Sequence, residues 1–234
     1  MPDNDALEPE IMSTDDSSSD LAVSADVLPT TLYLLPLTDR PFFPAQAFPV
    51  LLDEQPWLET LERIGDHPHH MAGLVLTRNG DPEHLRPENF YRIGSMVRVH
   101  NPNRSGGKIQ FIAEGIQRFR IVKWLSHKPP FMVQVEYPVE KPLKADAKVK
   151  AYAMAIINTL KELIPLNPLY SEELKYFLSR FSPNDPSPLA DFAAALTSAK
   201  REELQQVLEA FAVLPRMEKV LVLLKKDLDV ARLK

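Results

Sequence analysis

Apolar positions come in short runs and strict alternation between Leu32 and Val135, and at intervals of three and four after Val149. The first pattern predicts strands and the second predicts amphipathic helices. LYLLPL and FPVLL read as two short strands, and MAGLVLT as a buried one. GSMVRVHNPN, KIQFIAEG, QRFRIVKWL and FMVQVEYPV follow as further strands. Met96 alternates with Arg98, and Arg118 and Arg120 alternate with Phe119 and Ile121. A period of two sends charge to one face and core to the other, so these arginines read as an exposed strand face with cross-strand partners. NPNRSGGK reads as a hairpin loop by its Asn, Pro and Gly content. DEQPWLETLERI reads as one inserted helix, with Asp53 as cap and Trp57, Leu58, Leu61 and Ile64 on one face. Residues 29–140 thus form a β-rich barrel or sandwich.

Pro142 breaks the strand pattern, and a helical region follows over residues 141–234. In DAKVKAYAMAIINTLKELI, Val149, Tyr152, Ile156, Leu160 and Leu163 make one stripe. SEELKYFLSRF and LADFAAALTSA predict shorter helices, the latter with Ser187 or Asp185 as cap and Pro188 in its first turn. KREELQQVLEAFAVL carries Leu204, Val207, Leu208 and Phe211. PRMEKVLVLLKKDLDVARLK carries Met217, Val220, Leu221, Leu224 and Leu228, and its stripe is unfinished at Lys234. The fold class is α+β, with an all-helical lobe ending in a long truncated helix that expects more chain. Residues 1–28 combine SSSD with scattered acids and read as a disordered tail.

One stretch, PLTDRPFFPAQAFPVLL, combines Phe42, Phe43 and Phe48 with Pro36, Pro41, Pro44 and Pro49. The apolar residues favour burial, whereas the prolines forbid a helix and remove ladder donors. Two readings fit: two strands joined by a proline-stiffened crossing, or an exposed apolar ledge for a partner.

Charge narrows the function classes. The net charge is −5, but eight acids fall within the first 26 residues, before the first basic residue, Arg40. The remainder holds 24 acidic against 27 basic residues, too balanced for a strong nucleic-acid footprint. No run approaches the roughly 20 apolar residues of a membrane span. The absence of cysteine excludes disulfides and thiolate metal sites and fits a reducing cytoplasm. SGGK lacks the features of a phosphate loop: Pro102 stands where the first Gly belongs, and Ile109 follows Lys108. His67, His69 and His70 read as a solvated loop rather than a zinc site. With neither a GxSxG elbow nor an HExxH helix, catalysis by this chain alone is not expected.

The order of motifs is more specific. LYLLPLTDRPFFPAQAFPVLL resembles the opening of the amino-terminal domain of Lon proteases, with Pro36 in the first strand and Pro44 in the apolar stretch. EHLRPENFYRIGSMVRV, with Tyr91 and Gly94, and FIAEGIQRFRIVKWL, with Glu114, Gly115 and Arg118, are similar to two further family motifs. The helices after residue 141 are similar to the segment that precedes that family's ATPase. The resemblance implies a PUA-like pseudo-barrel lobe followed by the helical lobe. It implies a parent that is a cytoplasmic, hexameric, ATP-dependent serine protease acting in protein quality control. The ATP and Mg sites and the Ser-Lys dyad would lie outside this chain, which would hold no catalytic residue, cofactor or metal. Its partners would be unfolded or damaged proteins and other copies of itself, not membranes or nucleic acid. Phe42, Phe43 and Phe48 become the candidate substrate-binding residues, at least one of them lining an exposed apolar surface. The alternative is a stand-alone Lon-domain adaptor or ligand-binding protein without protease activity.

Overall fold

A computed structural model describes residues 28–139, 147–168, 171–181 and 185–234. The expected disordered tail, up to residue 27, and the first residues of the first long helix in 141–234 lie outside the described residues. Six strands form one sheet: β1 (Thr31–Leu37), β2 (Ala47–Asp53), β3 (Met71–Leu76), β4 (Ile93–Ser105), β5 (Lys108–Trp124) and β6 (Met132–Glu136). Their order is β2-β5-β4-β3-β1-β6, and β6 pairs again with β5. Five strands therefore close into a ring, and β2 lies outside it. Only β1 and β3 run parallel, joined through β2 and helix α1 (Glu54–Asp66), as a parallel connection requires a crossover.

KIQFIAEG and QRFRIVKWL are one 17-residue strand rather than two. The break is a bulge: Met96 faces Gln117 and Val97 faces Gly115, which leaves Ile116 as the extra residue. The first half of β5 pairs with β2, and the second half pairs with β6. The hairpin between β4 and β5 is also tighter than its composition suggested. Gly106 and Gly107 both have positive φ and make the turn, while Asn103, Arg104 and Ser105 already pair with β5. Asp53 makes no side-chain cap to α1; its carboxylate instead accepts from Lys108 across the strand pair.

Proline placement follows the ladder. Thr77 N–H donates to Leu37 O and Leu34 N–H to Phe131 O, so alternation turns the nitrogen of Pro36 toward the β6 side. The β6 pairing has already ended there, at Tyr33, and no ladder donor is lost. Gly94 is fixed by crowding. A Cβ on it would lie 2.4 Å from Leu74 O and 2.8 Å from Val75 Cγ2. Gly94→Ala is therefore expected to cost about 1–3 kcal/mol in urea unfolding, as overpacking does. Gly65→Ala, where nothing lies within 4 Å, should cost nothing. Equal stability of the two variants would contradict this account of Gly94.

The helical part comprises α2 (Ala147–Leu163), α3 (Ser171–Arg180), α4 (Ser187–Leu196), α5 (Arg201–Glu209) and α6 (Val213–Leu233). KREELQQVLEAFAVL does not run as one helix, because α5 ends at Glu209 and α6 begins at Val213, two residues before Pro215. α6 packs against both α2 and α4 around Met217, Val220 and Leu224. Neither Asp185 nor Ser187 caps α4 with its side chain; the Ser187 hydroxyl accepts from Arg216 instead.

The sheet and helices meet along a polar seam within the unit Thr31–Lys234. Arg40 donates to Ala195 O at 3.0 Å and Thr197 O at 3.3 Å, satisfying carbonyls at the end of α4. Arg201 donates to Thr77 O, and Gln205 to Ile93 O at 3.1 Å. Arg118 corrects a sequence expectation. Alternation does turn it away from the barrel core, but the helices cover that face, leaving it 5% exposed. Its guanidinium makes two hydrogen bonds to Asp191, at 2.8 and 2.6 Å, and a third to Leu208 O at 2.7 Å. Arg120, two residues on, behaves as expected, pairing across the strands with Glu136 at 2.7 Å.

Candidate protein-binding surface

The proline-rich stretch divides into three parts with different fates. β1 enters the barrel, with Leu34 and Leu35 fully buried. The crossing, residues 38–46, runs under the helices. Phe42 is buried, its carbonyl accepting from Ser95 Oγ at 2.5 Å. Phe43 is 0% exposed and belongs to the helical core, alongside Ile156, Leu204 and Met217. Neither Phe42 nor Phe43 faces solvent, which leaves Phe48 as the exposed phenylalanine of the three. The crossing lies so close to β5 that a Cβ on Gly115 would meet Phe43 O at 2.5 Å and Pro44 Cα at 3.0 Å.

β2 is the exposed part. Gly115 N–H donates to Gln46 O, and Glu54 N–H to Gly107 O. Antiparallel alternation then turns the backbone groups of Gln46, Phe48, Val50 and Leu52 toward β5. Those of Ala47, Pro49, Leu51 and Asp53 face the open edge. Pro49 removes one donor from that edge, a device that discourages indiscriminate strand pairing. Side chains alternate the other way. Phe48 lies on the face of Val50, opposite Ala113, yet is 56% exposed; Leu51, on the other face, is 62% exposed. The open edge is thus flanked by apolar side chains on both faces, with the charges of Asp53, Lys108 and Glu54 gathered at its far end.

The remaining motif residues sit in the sheet framework. Tyr91 N–H donates to Leu76 O, and the Arg78 guanidinium lies 4.9 Å from the Tyr91 ring centre. The exposed Glu114 carboxylate is 3.2 Å from His100 Nε2. In the loop after β3, the ring of His84 lies 3.0 Å from the Asp81 carboxylate. That contact holds Asp81 below its ordinary range and raises His84. Burial pushes the Tyr137 phenol up. His67, His69 and His70 are exposed after α1, and among the described residues no three His, Asp or Glu side chains gather as a metal site. No described helix is long and apolar enough to cross a membrane.

Known structures share this arrangement of closed sheet and packed helices. The N-terminal domain of a Mycobacterium avium complex Lon protease superposes with a TM-score of 0.65 at 21% identity, covering 83% of this chain and 98% of that one. The Lon N-terminal domain protein from Xanthomonas campestris gives 0.58 at 15% identity, covering 82% and 98%. The fold is therefore that of Lon amino-terminal domains. The chain belongs to the family of ATP-dependent protease La (LON) substrate-binding domains, whose model matches residues 31–226. It is 42% identical over 235 residues to Lon protease 2 of Hydrogenovibrio crunogenus, spanning 98% of this chain and 27% of that protein. It is also 42% identical over 221 residues to Lon protease 1 of Syntrophotalea carbinolica, spanning 94% and 27%. The chain thus spans about a quarter of the length of the curated relatives it matches.

Proposed function

We propose that this chain is the substrate-recognition region of a cytoplasmic, hexameric, ATP-dependent Lon-type protease, and that the β2 edge receives apolar segments of unfolded proteins. ATP hydrolysis and peptide cleavage belong to residues outside this chain. The observation that carries the reading is the pairing of an open backbone edge with exposed Phe48 and Leu51 in a strand anchored to β5 by the backbones of Gln46, Phe48, Val50 and Leu52. A folded protein has few free strands or large apolar patches, whereas an unfolded one offers both. Main-chain donors and acceptors at Ala47, Leu51 and Asp53 recognise any extended chain, and the flanking side chains select apolar ones. Such an edge binds weakly by itself, and several copies in one ring would multiply its affinity.

The test is an anisotropy titration of this chain against one labelled protein in unfolded and native form. Binding to the unfolded form and not the native one is the expected result. Equal binding, or none to either, would remove the β2 edge as a recognition surface.

A further inference from the structure

At the other end of β5 from the β2 edge, a half-open cavity of about 330 Å³ lies between Ile121–Trp124 and the segment Pro87–Arg92. Tyr91, Trp124 and Val122 give it apolar walls; Arg78, Arg92 and Glu88 give it charge. Trp124 is held in place by Phe131, edge-on at 5.5 Å, and by Phe90 at 5.4 Å. Arg78 rests over the Tyr91 ring, and Arg92 makes one long hydrogen bond, 3.4 Å, to Ile121 O. Neither guanidinium has an ion-pair partner among the described residues.

Two guanidiniums without an ion-pair partner among the described residues, beside one carboxylate, leave a net charge of about +1, set against aromatic walls. That combination fits a monoanion attached to a bulky apolar group. A carboxylate carries that single charge above about pH 4. A phosphate monoester, at about −1.5 to −2, would be over-charged beside Glu88. The volume is at the low end of small-ligand sites, which run from about 300 Å³, and holds one residue rather than a stretch of polymer. From this we infer that the cavity reads the carboxyl-terminal residue of a polypeptide: the terminal carboxylate binds between Arg78 and Arg92, and an aromatic or large aliphatic side chain lies against Trp124 and Tyr91. The inference rests on the reading that this chain binds polypeptides, and it adds a terminus-selective site to the β2 edge. Ala113, opposite Phe48, and Ile121 are eight residues apart on β5, a contour of roughly 26 Å at about 3.3 Å per residue, with the Ile116 bulge between them.

The probe is a labelled Gly-Ser hexapeptide ending in Phe, about 20 Å long when extended. It carries no apolar residue except its last. It is titrated into the 234-residue chain as the free acid and as the carboxyl amide. The free acid is expected to bind at least ten-fold more tightly. That advantage should disappear in the double variant Arg78→Met/Arg92→Met and when the terminal Phe is replaced by Gly. Acid and amide binding equally, or the acid not binding, would overturn the inference without any variant having to fold. O-phosphotyrosine displacing the peptide better than N-acetylphenylalanine would also overturn it, making the cavity a phosphate site. Because the β2 edge does not distinguish a terminal carboxylate from its amide, acid and amide binding equally leaves the unfolded-protein reading standing. Failure of an unfolded protein with an amidated terminus to bind would sink that reading on its own.

Discussion

Asp191→Ala is expected to be among the most damaging single substitutions in this chain, costing about 3–5 kcal/mol in denaturant unfolding. Asp191 is 2% exposed and lies between two buried guanidiniums, Arg118 at 2.6 Å and Arg216 at 3.6 Å. Arg216 is itself 0% exposed and also donates to Ala210 O, Phe211 O and the Ser187 hydroxyl. Arg118 has one further acceptor, the neutral Leu208 carbonyl, and takes its counter-charge from Asp191. Removing the carboxylate would leave the Arg118 guanidinium buried without its counter-charge, at the point where β5, α4 and α6 meet. For a domain of this size the loss corresponds to a fall of roughly 6–20 °C in Tm. Asp191→Asn keeps the shape and an acceptor, and its loss should be smaller. A loss below about 1 kcal/mol for Asp191→Ala would show that the seam does not depend on this cluster.

Phe43→Ala is the second. The ring is fully buried in the helical core although it is carried by the crossing between two strands. Truncation removes its transfer energy and leaves a cavity that the Phe43 backbone, tied by its N–H to Gln46 Oε1, is poorly placed to close. A cost of about 3–5 kcal/mol follows from comparable core truncations. Because Phe43 joins the sheet to the helices, proteolysis of the helical part should also accelerate. A variant as stable as the parent, but deficient in binding unfolded protein, would restore Phe43 as a contact residue and contradict its placement in the core.

The strands, the inserted helix and the change to helices after residue 141 were legible because a period of two and a period of 3.6 are written directly in the side chains. What covers a face is not. Alternation placed Arg118 off the barrel core correctly, but its burial depends on Asp191, 73 residues away. One signal was present: Asp191 is the lone charge in the apolar helix SPLADFAAAL, and such a residue asks for a buried partner. The β5 bulge, with Ile116 as its extra residue beside Gly115, divides what the pattern alone presents as two strands. Phe48 and Phe43 could not be separated by pattern, since exposure on β2 follows from its place outside the ring, a property of topology. The Arg78, Arg92 and Trp124 cavity was invisible for the same reason: its residues come from three separate segments.

The central claim is that β2 recognises unfolded chains, and the most direct test compares the parent with Phe48→Asp in the same anisotropy titration. Phe48 is 56% exposed, so the variant should melt within about 2 °C of the parent. Its affinity for the unfolded protein should nevertheless fall at least ten-fold, about 1.4 kcal/mol. Unchanged affinity in a fully folded Phe48→Asp variant would mean that unfolded proteins are recognised elsewhere on this chain or not by it at all.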